Sequence, residues 1–390
     1  MAAVCGGLTT KGEASPRGAG FMYHVGHICC ARRVRRLKFQ LFSLRQGLAV
    51  CLLLLLGDTV AAQSPRTAEE QTAALGRGVN FGGILEAPDA VDRAKHLDRT
   101  LFKAVRDGGF ATVRLPVRFS NHAGLTVPYA LDEAFMRHVD DAVESALAED
   151  LTIIIDFHHY RQMDGDPLDE GERRADLSDE SLRERFTLIW QQIAERYRSQ
   201  PVEKVLFEIY NEPHGNTDGD VWNQLVADTL AVIRKSNPER FVIVDAGNWA
   251  TAWGLETLEL PKDDRRLIVS VHNYAPFDFT MQGASWIENS AKWVGTPCCS
   301  KAQIAKINEP LDIAVEWSRE NKRPIFLGEF GANSIAGYED RVRYTRIMRD
   351  EAERRGFTWA YWDFSSDEFG PWDYLGKKWR VELRDALTGK

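Results

Sequence analysis

Short, continuous apolar runs alternate with longer amphipathic stretches from residue 77 to the C-terminus. The runs at 78–83, 110–117, 151–158, 205–213, 241–245, 267–274, 324–331 and 358–362 are rich in β-branched and aromatic residues and predict strands. They are apolar on both faces, as parallel strands covered by helices must be. Between them apolar residues recur at helical spacing. Leu97, Leu101 and Val105 stop at Gly108-Gly109, and Leu131, Phe135, Val139, Val143 and Leu147 form a second stripe. Leu182–Tyr197, Trp222–Ile233, Leu311–Trp317, Tyr344–Met348 and Val381–Leu387 continue the alternation. The stretch 160–176 is a charged loop, a short segment at 253–258 crosses back, and an aromatic loop holds Trp286 and Trp293. Eight such strands predict an α/β fold, a single-domain (β/α)8 TIM barrel over residues 77–390. An open doubly wound sheet would announce itself with a glycine-rich phosphate turn and a following helix, and Gly76–Gly83 has neither.

The first 62 residues change the picture at one end. Arg32–Arg36 precede the apolar run Leu48–Leu56 and the small residues Val60-Ala-Ala62, the pattern of a secretory signal cut after Ala62. The run is short against the ~20 residues of a membrane span. An uncleaved anchor and a start at Met22 stay open beside a cleaved signal. Residues 63–76 read as a loose lead-in. The expectation is a secreted or periplasmic protein with no stable membrane association after signal cleavage, acting as a monomer. The leader carries six net positive charges, so the remainder has −14 where the whole chain has −8. That leaves no basic patch for nucleic acid. Of six cysteines only Cys298 and Cys299 lie beyond the leader; as neighbours they form neither a disulfide framework nor a zinc motif. A vicinal disulfide and two free thiols are equally open.

Candidate chemistry sits at the carboxyl ends of the predicted strands, where barrels of this kind build their sites. Those ends carry Arg114, His158 with His159, Asn211 with Glu212, Trp249, His272 with Tyr274, Glu329 and Trp362, and the aromatic loop adds Trp286. Each alone has a structural explanation: an ion pair for Arg114 or a glutamate, packing for a tryptophan. Their joint placement is what those explanations miss. Adjacent strand residues point to opposite faces, so His158 and His159 are not expected to ligate one ion. No metal and no cofactor are expected. Two glutamates at strand ends suit glycosidic cleavage, in which an acid protonates the leaving oxygen and a carboxylate meets an oxocarbenium-like transition state. Asn211 can donate to a sugar hydroxyl, Arg114 and Tyr274 can hold Glu329 ionised, and Trp362 offers a flat face to a pyranose.

Ile209-Tyr-Asn-Glu-Pro-His214 and Leu327-Gly-Glu-Phe-Gly331 resemble glycoside hydrolase family 5, the large cellulase family of retaining (β/α)8 enzymes. Further matches are Arg77–Gly82, Thr112–Pro116, Asp156–His159, Ser270–Tyr274 and Tyr361–Phe364, so the resemblance spans residues 78–387. It implies Glu212 as acid/base and Glu329 as nucleophile, with Arg114, His158, Asn211, His272, Tyr274 and Trp362 around the cleavage point. The loop 274–286 looks like that of bacterial endoglucanases, which points to a β-glucan polysaccharide or oligosaccharide substrate and endo-β-1,4-glucanase activity. Mannan, xyloglucan and β-1,3-glucan are the alternatives within the family. A non-catalytic carbohydrate-binding barrel and a metal-dependent hydrolase are the alternatives outside it.

Overall fold

The computed structural model describes residues 66–169 and 174–390. The signal-like segment 1–62 lies outside the described residues. Among those described, no helix is long and apolar enough to cross a membrane. Eight parallel strands close into a barrel in sequence order: β1 (Arg77–Asn80), β2 (Thr112–Val117), β3 (Thr152–Phe157), β4 (Val205–Glu208), β5 (Val242–Asp245), β6 (Leu267–His272), β7 (Ile325–Glu329) and β8 (Thr358–Tyr361).

A helix precedes the barrel where a loose lead-in was expected: α1 (Ala68–Leu75). Thr67 caps it, the Glu70 side chain reaches back to the Thr67 amide, and a polar stretch becomes a helix once both ends of that box close. Ala68 and Leu75 then pack with Ile154, Leu206, Ile243, Ile268 and Phe326, so α1 closes the barrel floor.

Outside the barrel run α2 (Arg99–Gly108), α3 (Glu133–Ala148), α4 (Asp179–Arg196), α5 (Asp220–Ser236), α6 (Lys301–Asn321), α7 (Tyr338–Arg354) and α8 (Val381–Thr388). The β5–β6 crossover holds no long helix among the described residues, but a kinked four-residue helical turn, Gly247–Ala250, and a 3-10 turn, Leu255–Thr257. A small hairpin, β9 (Trp372–Asp373) and β10 (Lys378–Trp379), was not expected from the sequence. Cys298 and Cys299 are joined in a vicinal disulfide just before α6.

Strand alternation sets the barrel interior. Ile154, Leu206, Ile243, Ile268 and Phe326 form an apolar layer. Two residues further along, the same strands turn Asp156, Glu208, Asp245, Ser270 and Gly328 inward, because side chains on one face recur every second position. The upper interior is therefore acidic. That layer is the base on which the strand-end residues stand.

Candidate active site

Among the described residues, Arg114 of β2 is the arginine that pairs with these carboxylates, and it is fully buried. Nε and Nη2 donate to the two oxygens of Glu208 at 2.9 and 2.8 Å. Nη1 donates to Asn80 at 2.9 Å and to Glu329 Oε1 at 2.7 Å, and Nη2 also reaches Asn211 Oδ1 at 2.7 Å. All five guanidinium N–H groups are thereby used. Arg114 thus holds Glu329 as expected, but it sits beneath the site with no donor left for a sugar, which corrects its placement among the substrate-binding residues.

The buried acids respond to this single charge. Burial pushes Glu208 up, but the charge and hydrogen bonds of Arg114 hold it below the ordinary carboxylate range. Burial and the neighbouring Glu208 charge push Asp245 well up. Asp156 is also pushed well up by burial, against the pull of Arg114. Replacing Arg114 with Met would strand these groups without their cation. The expected loss is about 3–5 kcal/mol of folding stability, as for other buried pairs cut on one side, read as a lower urea midpoint.

The strand β4 ends at Glu208, earlier than the apolar run suggested, and the chain continues through Asn211 to Glu212 in a left-handed turn with φ 50°. Such backbone in a non-glycine residue costs of order 1–3 kcal/mol and concentrates at functional sites. Three contacts hold it. The Glu212 amide donates to Asp245 Oδ2 at 3.0 Å, its carbonyl meets His214 Nδ1 at 2.6 Å, and its Oε1 meets His272 Nδ1 at 2.8 Å. Asn211 is fixed by accepting from Arg114 on its Oδ1, which leaves its NH2 group as the donor available to a ligand.

Glu329, the last residue of β7, receives Arg114 Nη1 on Oε1 and the Tyr274 hydroxyl on Oε2, both at 2.7 Å. A register shift between Val271 and His272 brings His272 opposite Glu329. Its Nδ1 lies 2.8 Å from Glu212 and 3.7 Å from Glu329. One oxygen from each glutamate and one His272 nitrogen lie within 4.8 Å of one another. Burial, with the nearby Glu212 charge, pushes the Glu329 carboxyl above its ordinary range, and His272, Arg114 and the Tyr274 hydroxyl offset part of that push. Glu212 is about a quarter exposed and has no cationic donor of that kind.

These groups open into a cleft of about 1030 Å3. His158, His159, Asn211, Glu212, Trp249, His272, Tyr274, Trp286, Glu329 and Trp362 all line it. Trp362 stacks on the His158 ring with centroids 5.5 Å apart and planes 8° apart. Gly82 makes room for it, since a Cβ there would lie 2.8 Å from the indole. His158 Nδ1 is 2.7 Å from Asp156, and burial with the His159 and Arg114 neighbours pushes its pKa well down. The two histidines depart from the alternation expected of them. They follow the end of β3, where strand geometry no longer applies, and both rings face the cleft 4.3 Å apart.

Trp249 and Trp286 are half exposed on the cleft walls, and Trp249 stacks on His214 at 4.7 Å. The sequence did not single out Trp253, Phe277, Glu86 or Asp363, which share the lining. Burial pushes both Glu86 and Asp363 up to about 7. Asp363 directly follows Trp362 and lies inside the Tyr361–Phe364 match, which gave it no role of its own.

The cellulase model, glycosyl hydrolase family 5, matches residues 76–368. Endoglucanase H of Acetivibrio thermocellus is 33% identical over 308 residues, covering 78% of this chain and 31% of its own. The Cellulase/esterase CelE of the same organism is 29% identical and 35% covered, so the chain spans about a third of these relatives' length. Among solved structures, Thermotoga maritima Cel5A in complex with cellobiose is 38% identical, with a TM-score of 0.76 over 82% of this chain and 99% of that one. The same enzyme in complex with mannotriose matches at the same identity, TM-score and coverage. Fold, site and family model agree: this chain belongs to the cellulase family, glycosyl hydrolase family 5.

Proposed function

We propose that the protein is a retaining endo-β-1,4-glucanase acting by double displacement. The observation that carries this is the gap between the glutamates, with oxygens inside 4.8 Å. Retaining enzymes hold their carboxyl groups ~5–5.5 Å apart, whereas inverting ones need ~6.5–9.5 Å to admit a water. Glu329 is the nucleophile. Each of its oxygens already receives a donor, one from a permanent cation, and those two bonds favour the carboxylate against the upward push of burial and of the Glu212 charge. Glu212 is the acid/base, since it lines the cleft, is about a quarter exposed and, among the described residues, accepts from no guanidinium. In the first step Glu329 attacks the anomeric carbon while Glu212 protonates the departing oxygen. In the second, Glu212 takes a proton from water, which releases the sugar from Glu329. Asn211 offers its NH2 to the hydroxyl beside the attacked carbon, and Trp362 underlies the ring.

Mannan is a second substrate to weigh, because the 38% identical Cel5A has been solved with both cellobiose and mannotriose. Reducing-sugar release from carboxymethyl cellulose and from mannan, each with and without a chelator, tests both points. Release from carboxymethyl cellulose is expected, and it should be undiminished by the chelator. Release from mannan alone would reassign the substrate. Loss on chelation would favour a metal held by Glu212, His272 and Glu329, whose atoms converge closely enough to hold one.

A further inference from the structure

A second groove adjoins the cleft. Trp253, half exposed, lines the cleft and also this groove, of about 260 Å3. Helix α6 connects the two from the other side. Lys306 and Glu309 face the cleft, while Ile313, Glu316, Trp317 and Glu320 face the groove. Positions 306, 309, 313, 316 and 320 fall on one stripe of a helix. At 1.5 Å per residue that stripe runs roughly 21 Å away from the rim. The turn after β5, including Leu255 and Glu256, forms the facing wall.

The side on which this groove joins the cleft is informative. Trp249 and Trp253 follow β5, next to the acid/base. The Trp249 amide donates to the Pro213 carbonyl, and its ring stacks on His214, two residues from Glu212. An acid protonates the oxygen of the departing sugar. The half of the polymer on the Glu212 side is therefore the half that leaves.

We infer that the departing half of a long β-glucan passes over Trp253 and lies in the groove along α6. Trp253 and Trp317 present aromatic surface to pyranose faces, and Glu256, Glu316 and Glu320 accept from sugar hydroxyls. Aromatic surface with carboxylate acceptors suits a neutral polyhydroxyl chain, and the Trp253 wall shared with the cleft identifies that chain as the substrate itself. This inference rests on the cleft being a glucan site.

The test compares a long neutral polymer, hydroxyethyl cellulose, with p-nitrophenyl β-cellobioside, which is too short to leave the cleft. Trp317→Ala is expected to lower kcat/KM on the polymer by about fivefold or more, the scale of losing one well-packed contact. On the short substrate it should stay within about twofold. Trp317 packs partly against the core, so the double variant Glu316→Ala/Glu320→Ala, confined to exposed positions, is measured beside it. It should show the same selective loss, about two- to threefold. A polymer-to-short ratio equal to wild type in both variants overturns the inference while leaving the cleft reading intact. No turnover of the short substrate by the wild type would overturn the cleft reading, and this inference with it.

Discussion

Glu329→Gln is expected to lower kcat on a soluble glucan by about 10^4-fold or more, the scale of deleting a covalent nucleophile. The dissociation constant for cellotetraose should stay within about threefold, because the interaction removed exists only on the way to the transition state. The substitution suits its surroundings. A glutamine oxygen still accepts from Arg114 Nη1, and its NH2 group can donate to the Tyr274 hydroxyl, which turns from donor to acceptor. Steady-state rates together with titration calorimetry separate the two effects. A comparable loss of binding would mean that Glu329 holds the sugar rather than attacking it.

Glu212→Ala is expected to divide substrates by their leaving groups. On polymer the loss should be about 10^2- to 10^4-fold, the usual contribution of a general acid. An aryl glycoside with a strongly acidic phenol needs no proton to leave, so its first step proceeds and the glycosyl-enzyme accumulates. Azide then restores turnover, since it needs no base to attack. The side chain removed is partly exposed and has one side-chain partner, His272, so the cost to folding is small. Stopped-flow release of the phenol, showing a burst followed by a slow steady phase, checks this. Unchanged hydrolysis of every substrate would move the acid/base role elsewhere.

Much of this site was legible because a parallel barrel displays its chemistry where apolar runs end. Glu212, Glu329, His272 and Trp362 each stood at such an end. The charge balance beneath them was less visible. Asp156, Glu208 and Asp245 are polar residues within or closing apolar strands, and their common inward direction emerges only from the register of β3, β4 and β5. The role of Arg114 follows from the same layer. Position alone left it between a structural ion pair and a ligand to substrate, and its five filled donors decide for the first.

Elsewhere a local signal was outweighed by composition. The box Thr67–Glu70 marks the start of α1, yet the polarity of the stretch suggested a loop. Ser300 and Gln303 cap α6 in the same manner, and the helix runs ten residues ahead of the Leu311–Trp317 stripe, through Pro310. With that longer helix the stripe joining cleft and groove becomes visible. His158 and His159 were separated by a strand rule applied one residue past the strand's end.

The assignment of the two glutamates is tested most directly by the configuration of the glycosyl azide that Glu212→Ala makes from an activated aryl β-cellobioside. With Glu329 as nucleophile, azide displaces it from the face the phenol left, and proton NMR of the product should show the β-azide. An α-azide would mean that azide had taken the place of the missing side chain as the attacking group. Glu212 would then be the nucleophile, and the roles given to the pair would be reversed.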